Sequence, residues 1–128
     1  MANNNAIITP KARENMVKAR AGEIALPAIV GMAFGDGGCD AAGEILAPTE
    51  NQAALRNETL RKVVDRHSFI SQTICRYECT LTESELAGSY ISEVGLYDTN
   101  GDIVCIKSFR RKGKDDDIEM TFTLDDIF

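Results

Sequence analysis

Four cysteines and one histidine are the residues of this chain best suited to hold a metal ion. A zinc site would combine the histidine with three of the thiols: Cys75, Cys79, Cys105 and His67. Residues four apart on one strand lie about 13 Å apart, at about 3.3 Å per residue, which is too far to share one tetrahedral ion. No Cys-x-x-Cys pair is present, and Cys39 stands apart from the other thiols. The sequence therefore favours reduced thiols packed as small core side chains, with His67 in a turn or at the surface.

Carboxylates offer a second kind of chemistry, because two of them held in one pocket with different pKa values can act as general acid and base. Glu93 and Asp98 lie in one apolar stretch, and Asp115–Asp117 form a run. On a strand, Glu93 and Asp98 are five positions apart and face opposite sides of the sheet. No serine occupies a nucleophile-elbow pattern, and no triad of metal ligands is evident. The sequence predicts no catalytic, cofactor-binding or metal site, and no enzyme.

The glycine-rich segment Gly35-Asp36-Gly37-Gly38 has the composition of an anion-binding loop. Exposed backbone N–H groups in such a loop can surround a phosphate. However, Asp36 adds a negative charge, no Lys-Ser or Lys-Thr follows, and no helical pattern begins directly after the loop. We therefore interpret this segment as a plain turn.

The clearest structural element is a β-hairpin from Ile91 to Val104. Two apolar runs are separated by a short segment rich in Asp, Asn and Gly. Asn100 and Gly101 tolerate the positive φ angles that tight hairpin turns require.

Upstream, Thr9 and Pro10 predict the start of an amphipathic helix over 10–21, since the threonine can cap it and the proline needs no donor at the first helical position.

Other segments alternate between apolar runs and loop-forming residues. The predicted elements are a strand over 25–34, a loop over 40–48, a short helix over 52–57, strands over 59–65 and 69–81, and a capped turn over 82–87. Thr49 and Gln52 have the spacing of a helix cap, and the helix would place Leu55 against the sheet. The three-residue link Arg66–Ser68 is too short for a parallel crossover, so the strands on either side of it should be antiparallel.

The last third of the chain contains a charged run and a clear strand pattern. Residues 110–117 change from basic to acidic, which predicts an exposed loop. A final strand over 118–124 should bury Ile118, Met120, Phe122 and Leu124. These elements together predict one α+β domain over residues 1–128, an antiparallel sheet of about five or six strands with one or two short helices.

Composition narrows the classes of function. The formal net charge of −6 argues against a protein that binds nucleic acid or a membrane surface, since such proteins need a basic face. No secretory signal and no membrane-spanning apolar run are visible. A mixed-charge segment, with Arg56, Arg61, Lys62 and Arg66 among acidic residues, is best interpreted as a solvated face, and secondarily as a surface for an acidic partner.

Three motifs in the chain point to a known family. The hairpin contains Glu93–Asp98, with the sequence EVGLYD, followed by Asn100-Gly101-Asp102, while Phe34–Gly38 and Leu55–Glu58 precede it. With these motifs in this order, the chain from about residue 8 to 109 resembles the phage tail-collar fibre protein family. The motifs are turns and core positions and contain no catalytic signature.

The resemblance implies a structural component of a phage tail or phage-tail-like particle that attaches a fibre or collar element to the baseplate. Its implied partners are baseplate or tail fibre proteins, without nucleic acid or membrane, and its implied location is the virion tail, assembled in the bacterial cytoplasm. Fibres of this family are typically trimers, so three copies meeting around an axis are expected. Because the sequence stops at Phe128, where relatives continue into a shaft and tip, we expect either a short adaptor or a prophage remnant.

Glu93 corresponds to a family position between apolar strand residues. The resemblance therefore implies that it forms a charge interaction or a backbone hydrogen bond that fixes the sheet or a subunit contact. A buried, isolated carboxylate would be costly, which predicts a basic partner such as Arg56 or Arg61. Two other function classes stay open at this point, a small soluble cytoplasmic ligand-binding or regulatory domain and a zinc-binding module.

Overall fold

The computed structural model describes residues 5–128, which form eight strands and one helix. In chain order these are β1 (Ala6–Ile8), α1 (Pro10–Arg20), β2 (Ile29–Gly35), β3 (Glu58–Val63), β4 (Arg66–Ser71), β5 (Ile74–Leu81), β6 (Ser89–Asp98), β7 (Ile103–Lys114) and β8 (Met120–Ile127). One sheet has the order β1-β7-β6-β2-β3 and the other the order β4-β5-β8. All neighbouring strands are antiparallel. The predicted class of fold is confirmed, with the strands divided between two sheets.

Helix α1 begins where the Thr9-Pro10 pair predicts. The Thr9 hydroxyl oxygen accepts a hydrogen bond from the Ala12 N–H at 3.3 Å, and the hydroxyl donates to the Ile103 carbonyl at 2.7 Å. The helix ends at Arg20, and Gly22 just beyond it has a φ of +83°, a conformation that glycine adopts without strain. Thr9 therefore both caps the helix and fixes it to the start of β7.

The main core lies between the two sheets. Its buried members come from β2 and β5–β8: Met32, Phe34, Cys79, Leu81, Ile91, Val94, Leu96, Cys105 and Leu124. A smaller cluster on the other face of the five-stranded sheet contains Ala33, Leu55, Ile103 and Ile106. Burial raises the pKa of the Cys79 thiol to about 11 and also raises that of Cys105. These two cysteines are the small core residues that the sequence predicts, whereas Cys39 and Cys75 are only half-buried.

The helix predicted over 52–57 is absent. Its capping pair does form, since the Thr49 N–H donates to Gln52 Oε1 at 3.3 Å, but the chain makes only a single turn. So short a helix is marginal by itself, and the N–H groups of Arg56 and Asn57 are bonded elsewhere. Leu55 nevertheless packs against the sheet as expected.

The strand predicted over 69–81 is two strands, β4 and β5, separated by a turn at Gln72 and Thr73. Residues 66–68 begin β4 instead of forming a link, so β3 and β4 are not paired and lie in different sheets. Asp65 connects the chain to β5 at this change of sheet. Its N–H donates to the Glu78 carbonyl at 2.8 Å, and its carboxylate accepts from the Thr80 N–H at 2.8 Å. The chain is thereby fixed to β5 before β4 begins.

Three further boundaries differ from the sequence prediction. Residues 110–114 are not a loop but the end of β7, paired with the start of β6, and only the acidic run Asp115–Asp117 lies outside the strands. Lys114 is buried, and its ammonium donates to the carbonyls of Glu83 and Asp115 at 2.8 Å each. Strand β8 begins at Met120 and leaves Ile118 exposed, and β2 begins only at Ile29, after Pro27.

Candidate interaction site

A carboxylate is held completely inside the protein at the middle of β6. Glu93 is buried, and its side chain accepts three backbone hydrogen bonds: from Arg56 N–H to Oε1 at 2.8 Å, and from Gly37 N–H and Asn57 N–H to Oε2 at 2.9 Å each. We call these residues, Gly37, Arg56, Asn57 and Glu93, the Glu93 cradle. The glycine-rich segment does bind an anion, but the anion is the protein's own side chain.

Close backbone approach explains the glycines in this loop. The Gly38 N–H donates to the Ser92 hydroxyl oxygen at 2.8 Å, and a Cβ atom on Gly38 would overlap the Ser92 carbonyl. A Cβ atom on Gly37 would lie against the Arg56 side chain and the Glu93 carboxylate. Residues 37 and 38 therefore need to be glycine so that their N–H groups can reach β6.

The predicted basic partner of Glu93 is wrong, and the alternative, backbone hydrogen bonding, is confirmed. The Arg56 guanidinium donates instead to the carbonyls of Leu46 at 2.7 Å and Ala47 at 3.1 Å. Arg61 pairs with Glu58, with 2.6 Å between Nε and Oε2. Three backbone N–H donors stabilise the buried carboxylate in place of a cation, so the burial of Glu93 does not require an arginine partner.

Asp98 has a different structural task from Glu93. It is buried, and its Oδ1 accepts from the N–H groups of Asn100 at 2.9 Å and Asp102 at 3.1 Å. These bonds close the hairpin turn between β6 and β7. Asp98 lines a cavity beside α1, whereas Glu93 faces the loops around Leu55, so the two carboxylates do not meet as an acid–base pair.

The proposed zinc ligands do not converge. In residues 5–128, no group of three or more His, Cys, Asp or Glu side chains has the geometry to hold a metal ion. Cys75 and Cys79 lie on β5, Cys105 lies on β7 in the other sheet, and His67 is exposed on β4. His67 instead contacts aromatic rings, with centroid distances of 5.9 Å to Phe69 and 5.7 Å to Tyr77.

The surface best suited to bind another protein lies at β4. All six residues of this edge strand are exposed, and the Phe69 and Ile70 side chains are 76% and 49% exposed. An unpaired strand edge with large apolar side chains is a common site for pairing with another chain.

A groove runs beside β4 and is lined by aromatic and acidic side chains. Its principal lining residues are His67, Phe69, Tyr77, Asp126 and Phe128, and we call it the Asp126 groove. Burial raises the pKa of the Asp126 carboxyl. Sequence reasoning missed this site, although the adjacent Phe69 and Ile70, which place one apolar residue on each face of a strand, were a signal of it.

Comparisons with known proteins agree with the sequence resemblance. The family model for the N-terminal part of phage tail-collar fibre proteins matches residues 1–122. No curated protein and no solved structure matches the chain significantly. No helix in the part of the chain that the structure describes is long and apolar enough to cross a membrane. The family consists of structural tail fibre proteins, which argues against an enzyme. Since the match spans nearly the whole chain, the protein belongs to the phage tail-collar fibre protein family and carries its N-terminal region.

Proposed function

We propose that this protein attaches a fibre or collar element to the baseplate of a phage tail or phage-tail-like particle through protein–protein contacts. The family match supports a structural role in the tail. The observation that carries the attachment role is the edge strand β4, whose residues are exposed on both faces. The protein performs no chemistry in this role, and its location is the virion tail, reached by assembly in the bacterial cytoplasm.

Strand addition at β4 is the proposed mode of contact. The outer edge of β4 has no neighbouring strand in the described chain, so its outward N–H and C=O groups are free to pair with an extended segment of a partner. Phe69 and Ile70 would lose their exposed apolar surface in the same contact. Backbone pairing would supply affinity, and these side chains would supply specificity.

Assembly as a trimer is part of the proposal. Three copies around an axis would present three β4 edges to a baseplate, and such multivalent contact strengthens attachment without any stronger single contact. Light scattering on the purified chain tests assembly in solution. A trimer would support this part of the proposal, and a strictly monomeric protein inside intact particles would contradict it.

The attachment role is tested by antibody-gold labelling of purified tail particles from the source strain, viewed by electron microscopy. We expect label at the distal tail. Particles carrying Phe69→Asp should lose the label, because the charge would be buried in the proposed contact. Val17→Asp is the matched control, since Val17 is 70% exposed and belongs to α1, outside the β4 strand. Intact tails that lack the wild-type protein would overturn the proposal.

A further inference from the structure

We propose that the Asp126 groove binds an arginine side chain of a partner tail protein. This inference deepens the proposed attachment function and rests on it for the identity of the partner. The groove has a volume of about 360 Å³ and is open to solvent along one side. It therefore has room for a long side chain that enters from outside.

Aromatic rings form the walls of the groove. His67 stands edge-on to Phe69, at an interplanar angle of 81°, and lies obliquely beside Tyr77 at 39°. The Phe128 N–H donates to the Thr73 carbonyl at 3.0 Å, which holds Phe128 next to the β4–β5 turn. Phenylalanine and tyrosine rings have electron-rich faces that attract a cation.

Asp126 supplies the acidic group of the groove. Within residues 5–128 its carboxylate makes no ion pair and no hydrogen bond. Its neighbour Asp125 differs, because it accepts two hydrogen bonds from Arg76, at 2.8 Å from Nε and 3.1 Å from Nη2. A half-buried carboxylate without a partner is costly, and a cation entering the groove would remove that cost.

The side chains that line the groove favour a guanidinium group as its ligand. Within residues 5–128, no lysine or arginine lines the groove. A guanidinium group can stack on a ring and donate two parallel hydrogen bonds to a carboxylate, which suits both the walls and Asp126 better than a compact ammonium does. The net charge of −6 also favours a basic partner.

The position of the groove connects it with strand addition. Phe69 belongs both to the exposed surface of β4 and to the wall of the groove. An extended partner segment paired with β4 would direct alternate side chains to opposite faces of the sheet. Every second side chain would therefore point toward the face that contains the groove, where an arginine could enter it.

Nuclear magnetic resonance titration of the full chain with N-acetyl-argininamide tests this inference. We expect changes in chemical shift centred on His67, Tyr77 and Phe128, and no comparable changes with the neutral analogue N-acetyl-citrullinamide. Asp126→Asn should weaken binding about tenfold, because the variant loses the charge-assisted hydrogen bonds from the carboxylate to the guanidinium. Asp125→Asn, the matched control on the same strand, should change affinity less than about twofold.

Equal binding of the citrulline analogue, or equal affinity of the Asp126→Asn protein, would overturn the inference. Phe69→Ala provides a second variant that should weaken binding of the probe. Its exposed ring can be removed with little effect on the core. Failure of the arginine probe with gold label still at the distal tail would reject the groove but retain the attachment role. Binding of the probe without label on tails would reject the attachment role alone.

Discussion

The Glu93 cradle and the Asp126 groove contain the same chemical group in opposite states. Glu93 is fully buried and accepts three backbone hydrogen bonds, whereas Asp126 is partly exposed and has no partner among the described residues. Both positions lie on strands of the same domain. The number of donors around a carboxylate, and not its burial alone, decides whether it holds the fold together or stays available to an outside ligand.

Replacing Glu93 with alanine should produce the largest effect. The variant leaves three N–H groups without their acceptor, and we expect a loss of about 3–5 kcal/mol in the free energy of unfolding, since each hydrogen bond to a charged group contributes about 1.5–3 kcal/mol and water re-solvates some donors. Urea denaturation followed by circular dichroism measures this free energy of unfolding. Glu93→Gln retains one acceptor oxygen and should lose less. A full-stability Glu93→Ala protein would show that the cradle is not structural.

Gly38→Ala should have the next largest effect. The new Cβ atom would overlap the Ser92 carbonyl and push the loop away from β6, which should cost about 1–3 kcal/mol. Gly113→Ala is the matched control, because the added Cβ atom would meet only Tyr90 Cε1 at 3.7 Å, an ordinary contact. Thermal unfolding of both variants gives the comparison. Similar stability losses in the two would show that the cradle loop tolerates a wider spacing.

The smallest expected effect is a gain in stability from Asp126→Asn at neutral pH. Burial raises the folded-state pKa of Asp126 above its unfolded value near 3.9, so the wild-type protein loses stability as the pH rises through the interval between these two values. The variant has no carboxyl to ionise at this position, so at pH 7 it should be more stable than the wild-type protein by about 0.5 kcal/mol or less. Its advantage should vanish near pH 3, where the wild-type carboxyl is protonated.

Asp125→Asn controls for a general effect of removing charge from β8. It breaks the pair with Arg76 and should lower stability at pH 7 slightly, because exposed ion pairs contribute little. The two asparagine variants should therefore change the stability at pH 7 in opposite directions. Unfolding curves at pH 3, 5 and 7 test this sign, and a loss of stability in Asp126→Asn at pH 7 would imply a favourable contact of Asp126 in the native state.

Local signals in the sequence were sufficient for the helix and the hairpin. Thr9 and Pro10 mark the start of α1, and Asn100-Gly101 mark the turn between β6 and β7, because caps and tight turns depend on a few adjacent residues. The resemblance also depended on such turn positions. These elements predicted the class of fold correctly.

Features that depend on distant partners were not predictable. The capping pair at Thr49 and Gln52 indicates a helix, but the N–H groups of Arg56 and Asn57 are taken by Glu93, more than thirty positions away. The basic run 110–112 indicates a loop, but pairing with β6 makes it strand. The groove escaped prediction for the same reason, since Asp126 reaches His67 and Tyr77 only through the assembly of three strands.

The Glu93 cradle also fixes the register of the five-stranded sheet. Its donors lie 36, 37 and 56 positions from Glu93 in the chain, in loops next to β2 and β3, while the acceptor lies in β6. A slip of β6 by one residue would turn Glu93 toward the apolar core around Phe34 and would present Val94 to three unsatisfied donors. Misaligned pairing is thus penalised twice, by a buried charge and by unpaired N–H groups, so that a single side chain selects one alignment of the strands.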